Sequence, residues 1–272
     1  MAADESTLND QEQRRFAACP VKCKRLRQRI ASLADFFGAI SGVVSAEDTF
    51  WFRGHAEPQW SLTPGALRPA RVGDRKKALD LMADFKRIAE AKLQRLPGPE
   101  DEYKWAQIAQ HYGLPTRLLD WTESAITALY SACLQPKTDG IVYVMNPVDL
   151  NRLTDRSRPR ILDPQGDRDL ILRYLKSGPS QTKGRNYPVA VNPVWSSDRL
   201  IAQKGTFTLH GSLFSLDRAG VTSLVAVPVL REAKPRLRSE LRRVGVDEMT
   251  LFPELEHSCR HLKMRCGLMD FD

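Results

Sequence analysis

Gln110-His111-Tyr112-Gly113-Leu114-Pro115-Thr116-Arg117-Leu118-Leu119-Asp120-Trp121-Thr122 lies near the middle of this 272-residue chain, and its reading shapes the rest. Residues 102–112 before it read as a helix, with Gly113 as a C-cap ahead of Pro115. Thr122 is a suitable N-cap for a second helix over 123–134, which is rich in Ala and Leu. The stretch therefore reads as a helix–turn–helix junction dense in polar and aromatic groups. Arg117 and Asp120 either pair with each other and with helix ends, fastening the junction, or serve a site. Asp120 can do both.

Upstream, Leu26, Ile30, Leu33, Phe36 and Phe37 recur at helical spacing and predict an amphipathic helix over 23–38. Residues 1–22 read as a disordered or frayed leader. Thr49-Phe50-Trp51-Phe52 is an aromatic and β-branched strand stopped by Gly54. Residues 54–70 read as loop with room for one helical turn. A long helix over 77–96 carries Leu79, Leu81, Phe85, Ile88 and Leu93, and Pro97-Gly98-Pro99 ends it. Downstream, 140–145 reads as a buried strand. Residues 146–186 are rich in Arg, Asp, Pro and Gly, with one short helix near 168–176, and read as the most mobile or inserted segment. Strands are expected at 188–191, 205–210, 223–229 and 249–252, and helices at 234–244 and 255–263. Helices lead the first half and strands the second. The fold class is α+β, a helical N-terminal portion packed on a mixed sheet, organised as a leader (1–22), an N-terminal helix (23–45) and one domain (46–272).

Hydrophobic residues make up 42% and charged residues 27%, which excludes wholesale disorder and collagen-like structure. No apolar run approaches the ~18 residues that span a bilayer, so no membrane role is expected. The polar, acidic N-terminus lacks a secretory apolar region, and five cysteines are an odd number, so reduced thiols in the cytoplasm are expected. Lys and Arg exceed Asp and Glu by 41 to 33, a net charge of +8. The excess clusters in residues 14–29, in Arg152, Arg156, Arg158 and Arg160, and in Arg231, Lys234, Arg236, Arg238, Arg242 and Arg243. Each cluster is either a solvated face or a surface for a polyanion.

Walker-type, Gly-x-Gly-x-x-Gly, Gly-x-Ser-x-Gly and His-Glu-x-x-His motifs are absent, which disfavours the enzyme classes they mark. Cys19, Cys23, His257, Cys259, His261 and Cys266 are too irregularly spaced for a zinc site, and no metal is expected. Arg53, closing an aromatic strand, puts a permanent charge beside the core and needs an anion or an edge position. Gly54 beside it admits a ligand or another backbone. Gln203-Lys204-Gly205-Thr206 opens a strand where Gln203 can contact a ligand, or is half-exposed sheet. Asp247-Glu248 opens an apolar run, so that a carboxylate either faces a pocket, as in glycosidic-bond cleavage, or is solvated.

Arg53-Gly54 after an aromatic, Trp60-Ser61-Leu62-x-Pro64, Leu67-Arg68, the 110–122 segment, Ala202-Gln203-Lys204-Gly205-x-Phe207 and Leu251-Phe252-Pro253 together resemble the FRG-domain family, over about 45–262. Glu254 and Glu256 stand where that family tends to carry aspartates. A more distant resemblance, in order and residue type, is to the Arg–Ser–Glu class of mono-ADP-ribosyltransferases: Arg53 early, Thr206 and Thr208 in a middle strand, and Asp247-Glu248 late. A Ser-Thr-Ser triplet is missing and the first acid is Asp. This resemblance implies an ADP-ribosyltransferase-like core that consumes NAD, as a transferase or a glycohydrolase, in a bacterial toxin or antiphage defence effector. Its acceptor would be a macromolecule or water, and the basic surface favours a nucleic acid or a nucleic-acid-bound protein. Glu248 would stabilise the cationic ribose and Arg53 would clamp the pyrophosphate. Gly54, His111, Arg117, Trp121, Gln203 and Thr206 would shape the NAD pocket. The alternative is a non-catalytic module that binds nucleic acid or a protein partner through the basic clusters.

Overall fold

The computed structural model describes residues 6–178, 187–213, 216 and 219–266. Seven strands form one mixed sheet: β1 (Lys24–Arg25), β2 (Trp51–His55), β3 (Leu118–Thr122), β4 (Gly140–Met145), β5 (Val189–Val191), β6 (Gly205–Leu209) and β7 (Val225–Val229). Their order across the sheet is β1-β7-β4-β2-β3-β6-β5. Only β1 and β7 run parallel; every other neighbouring pair is antiparallel. With the helices this makes an α+β fold.

Both faces of the sheet are covered, which is why β4 is buried at all six positions. Side chains alternate between faces. Trp51, Leu119, Trp121, Ile141, Tyr143, Met145, Ala190 and Ala226 pack in one cluster with Leu8, Phe16, Val21 and Leu150. On the other face Phe52, Val142, Val144, Val227 and Val229 pack against α2 (Leu33–Ser41), α5 (Ala125–Ala132) and α9 (Lys234–Arg243). There too Leu118, Phe207 and Leu209 meet α4 (Glu102–His111) and α7 (Arg168–Leu175).

Most predicted strands and long helices are present, with moved ends: the helix expected over 77–96 is α3 (Val72–Glu90). Four expectations are corrected. Residues 6–22 are not a frayed leader. Helix α1 (Asp10–Arg14) is closed by a capping box between Asn9 and Glu12, and Leu8 and Phe16 are buried in the first cluster. Residues 1–5 of that leader lie outside the described residues. The helix expected at 23–38 begins only after Ser32, whose side chain accepts from Asp35 N; before it, β1 pairs with β7. The 110–122 junction is helix–turn–strand, because Leu118–Thr122 joins β6 along its whole length. Ser124, not Thr122, caps the following helix. Lastly, the strand expected at 249–252 is the one-turn helix α10 (Glu248–Leu251), held by an Asp247–Thr250 capping box. The segment expected to be mobile carries α6 (Pro147–Arg152) and α7, and its residues 179–186 lie outside the described residues. Two helices complete the set: α8 (Asp198–Ala202), which was not anticipated, and α11 (Leu255–Arg265).

Candidate functional site

Asp120 occupies the middle of β3, where its four strand neighbours are buried and its own side chain is 63% exposed. An acid exposed at the centre of a buried strand requires an opening in the layer above it. The ladder around it explains how it is held. Strand β3 bonds β6 at five positions but meets β2 only at Phe52 and Thr122. Where the two strands part, the Arg53 guanidinium takes the place of a main-chain donor, with Nη1 donating to the Asp120 carbonyl oxygen. Its Nε donates to His55 Nε2 at 2.9 Å, and Nη1 lies 3.9 Å from Asp120 Oδ2. Burial lowers the Arg53 pKa to about 10, with Asp120 raising it and Arg68 lowering it, so the group stays charged at neutral pH. The carboxylate is aimed from the other side. Gln110 Nε2 donates to Asp120 Oδ1 at 2.6 Å. The amide cannot be reversed without losing a bond, because its Oε1 accepts from the Thr116 hydroxyl, which in turn accepts from Leu118 N at 3.0 Å.

Asp120 faces a cleft of about 310 Å³ whose lining also includes Gln110, His111, Arg199, Gln203 and Phe252. Arg199 lies over the Phe252 ring, 4.7 Å from its centroid. Glu254 reaches the same region: its Oε1 is 3.9 Å from His111 Nε2 and 3.8 Å from Arg199 Nη1. Burial, and then the Arg199 charge, lower the His111 pKa, with Glu254 opposing them. The imidazole is therefore neutral at pH 7 and free to accept a proton. A hydrogen-bonded carboxylate, a neutral imidazole, a cation and an aromatic face in one small cleft suit a polar ligand that carries a sugar and an anionic group.

The structure divides the residues singled out in the sequence. His111 and Gln203 share the cleft. Gln203 Nε2 donates to the Leu251 carbonyl at 3.1 Å, and its own carbonyl accepts from Thr122 Oγ1 at 2.6 Å. Arg53 supports Asp120 from behind. Gly54 admits a backbone, as its size suggested, but that backbone is α5: a Cβ there would lie 1.9 Å from the Ala128 carbonyl oxygen. Arg117, Trp121 and Thr206 are buried. Trp121 Nε1 donates to Thr208 Oγ1 at 3.2 Å; Arg117 binds the carbonyls of His210 and Ser177. Trp121 and Arg117 thus brace the sheet, Thr206 is buried in it, and none of the three lines the cleft. Glu248 is not brought to Arg53. It is bound to His257 Nδ1 at 2.9 Å and Arg260 Nη1 at 3.2 Å, fastening α10 to α11.

Several basic residues also have structural partners. Arg15 is paired with Asp139 and Glu232, and Arg160 with Asp167. Lys234 is fully buried, and its Nζ donates to the carbonyls of Ala56 and Gln135. Among the described residues no His, Cys, Asp and Glu gather as metal ligands, and no helix is long and apolar enough to cross a membrane. Gln110 and Arg199 stood in segments the sequence had marked but were given no site role, and Asp120 was given one only as an alternative to fastening the junction. The signal for Asp120 was a lone acid inside an apolar run, legible only once that run is known to be a strand.

Residues 48–140 match the family model of the FRG domain, a span that includes Arg53, Gln110, His111 and Asp120. No curated protein and no solved structure matches the chain.

Proposed function

We propose that this chain is an NAD-consuming enzyme, and that its 48–140 span, which matches the FRG-domain model, supplies the carboxylate and imidazole of the site. It breaks the nicotinamide–ribose bond and passes ADP-ribose to a macromolecule or to water, on an ADP-ribosyltransferase-like core. The observation that carries this reading is the exposed Asp120 carboxylate, aimed by Gln110 into a cleft that it shares with a neutral His111 and the Phe252 ring.

The C1′–N bond breaks as positive charge develops on the ribose. A carboxylate beside it gains most at that point, so its binding favours the transition state over the ground state. Asp120 takes this role instead of Glu248, whose carboxylate is engaged by His257 and Arg260. Nicotinamide leaves with the electron pair of the broken bond. It departs neutral from a cationic pyridinium, so no general acid is needed. The acceptor oxygen bonds to C1′ and gives its proton to His111. Arg53 keeps the strand under Asp120 in place and does not touch the dinucleotide. The role in the cell is that of a toxin or antiphage defence effector acting in the cytoplasm, with a nucleic acid or nucleic-acid-bound protein as acceptor, in keeping with the net charge of +8.

Purified protein incubated with NAD, alone and with cell extract, should release nicotinamide. Asp120→Asn should slow that release on the order of 10²–10³-fold, as for loss of one group that stabilises transition-state charge. Absence of release under both conditions, or an unimpaired Asp120→Asn, overturns the reading. Tight, steeply salt-dependent RNA or DNA binding without NAD turnover would instead favour the non-catalytic module.

A further inference from the structure

We propose that Arg199 and His111 form a phosphate-binding subsite at one end of the cleft, and that Glu254 competes for it as an internal stand-in for the phosphate. Both side chains converge on one oxygen of Glu254, at 3.8 and 3.9 Å, too far for a hydrogen bond from either. The other oxygen, Oε2, is buried and has no hydrogen-bond partner. Glu254 is half-buried, and its buried oxygen gains no donor, so the carboxylate is held weakly: the hydration lost at that oxygen is offset only by the Arg199 charge 3.8 Å from its other oxygen. A phosphate group brings three acceptor oxygens and more charge, and it matches the fork of a guanidinium, so it outcompetes the carboxylate at the same point.

The surroundings let the carboxylate leave without moving the backbone. Phe252 is held between Arg199 and His257, whose ring stacks on it at 4.6 Å and 27°. The Leu251 carbonyl is bound by Gln203 at 3.1 Å. The chain leading to Glu254 is thus anchored, while its side chain rests on one loose ion pair with Arg199 and a 3.9 Å approach to the neutral His111 ring. With a carboxylate aimed by Gln110 in the same cleft, the ligand class is a phosphate ester joined to a sugar. That the phosphate is the pyrophosphate of a dinucleotide rests on the function proposed above; the subsite itself does not.

Titration calorimetry of the full chain with inorganic pyrophosphate tests the competition. Removing the competing charge in Glu254→Gln should tighten binding about tenfold, within the usual range of coupling between two ligands. Arg199→Ala should abolish binding. Circular dichroism checks that both variants fold. A measurement on the unaltered protein stands beside them: adding pyrophosphate should move the His111 ring resonances in NMR spectra. Glu254→Gln binding no more tightly than the original, Arg199→Ala binding equally well, or unmoved His111 resonances would each overturn the subsite. Nicotinamide release is scored separately. Pyrophosphate binding without NAD cleavage removes the proposed reaction and leaves the subsite, and NAD cleavage with no effect of Glu254→Gln on pyrophosphate binding does the reverse.

Discussion

Arg53 replaces a piece of sheet with a side chain. Where β2 and β3 part, its guanidinium binds the Asp120 carbonyl and the His55 ring. Removing it leaves a carbonyl and an imidazole nitrogen without their donor in a largely buried place. Arg53→Ala should therefore destabilise the protein by about 2–3 kcal/mol in chemical denaturation, whatever its activity. Gln110 is different, since it lies at the cleft and its chief service is to orient Asp120. Gln110→Leu should slow nicotinamide release on the order of ten- to a hundredfold with a cooperative unfolding transition retained, because a small misplacement of a reacting group is costly. An unchanged rate would remove the orienting role. The sequence showed that Arg53 needed a polar partner beside the core. It could not show that the partner would be a carbonyl on a strand 67 residues away.

At the level of elements, two glycines set how closely α5 lies on the sheet. A Cβ on Gly54 would lie 2.7 Å from Ala132 N as well as 1.9 Å from the Ala128 oxygen, and one on Gly140 would lie 2.4 Å from the Ala132 oxygen. These are backbone atoms, which cannot swing aside. Gly54→Ala should cost ~3 kcal/mol or more, or prevent folding, as overpacking against a rigid neighbour does. Gly73, near the start of α3, meets nothing within 4 Å, so Gly73→Ala should be neutral or stabilising by up to ~1 kcal/mol. Thermal unfolding of the pair measures the contrast. Strands β2, β4, β6 and β7 and helices α4, α7 and α9 were legible because each carries a run long enough to show its period or its β-branched content. Strand β3 was not. Leu118-Leu119-Asp120-Trp121-Thr122 is covered on both faces except at Asp120, does not alternate, and begins with two good helix formers. Helices α1, α8 and α10 have four or five residues and too few turns for a period. Only their caps marked them: Asn9 with Glu12, Ser197, and Asp247 with Thr250.

Across the whole molecule, the sheet keeps two histidines neutral in its interior. Burial, then the charges of Arg53 and Arg68, lower the His55 pKa to about 2. Burial, then Arg53 and Arg117, lower that of His210 to about 3. Both rings take up protons below ~6.5 in the unfolded chain but not in the folded one. Stability is thus complete above that pH and is lost as the pH falls towards the folded values, by up to ~1.4 kcal/mol per pH unit for each ring. Urea unfolding between pH 7 and pH 4 should show this fall, and His210→Gln should make it shallower. A flat profile would mean that the rings are not held neutral. The sequence by itself determined the α+β class, most long elements and the segments from which the cleft is built, because these follow from local periodicity, turn residues and dense polar motifs. Which acid lines the cleft was decided only by tertiary structure. Asp120 is exposed because the layer covering its face of the sheet opens there into the cleft, and Glu248 is engaged because α11 brings His257 and Arg260 to it. Both outcomes depend on strand pairing and helix docking between distant residues, for which no local pattern carries a signal.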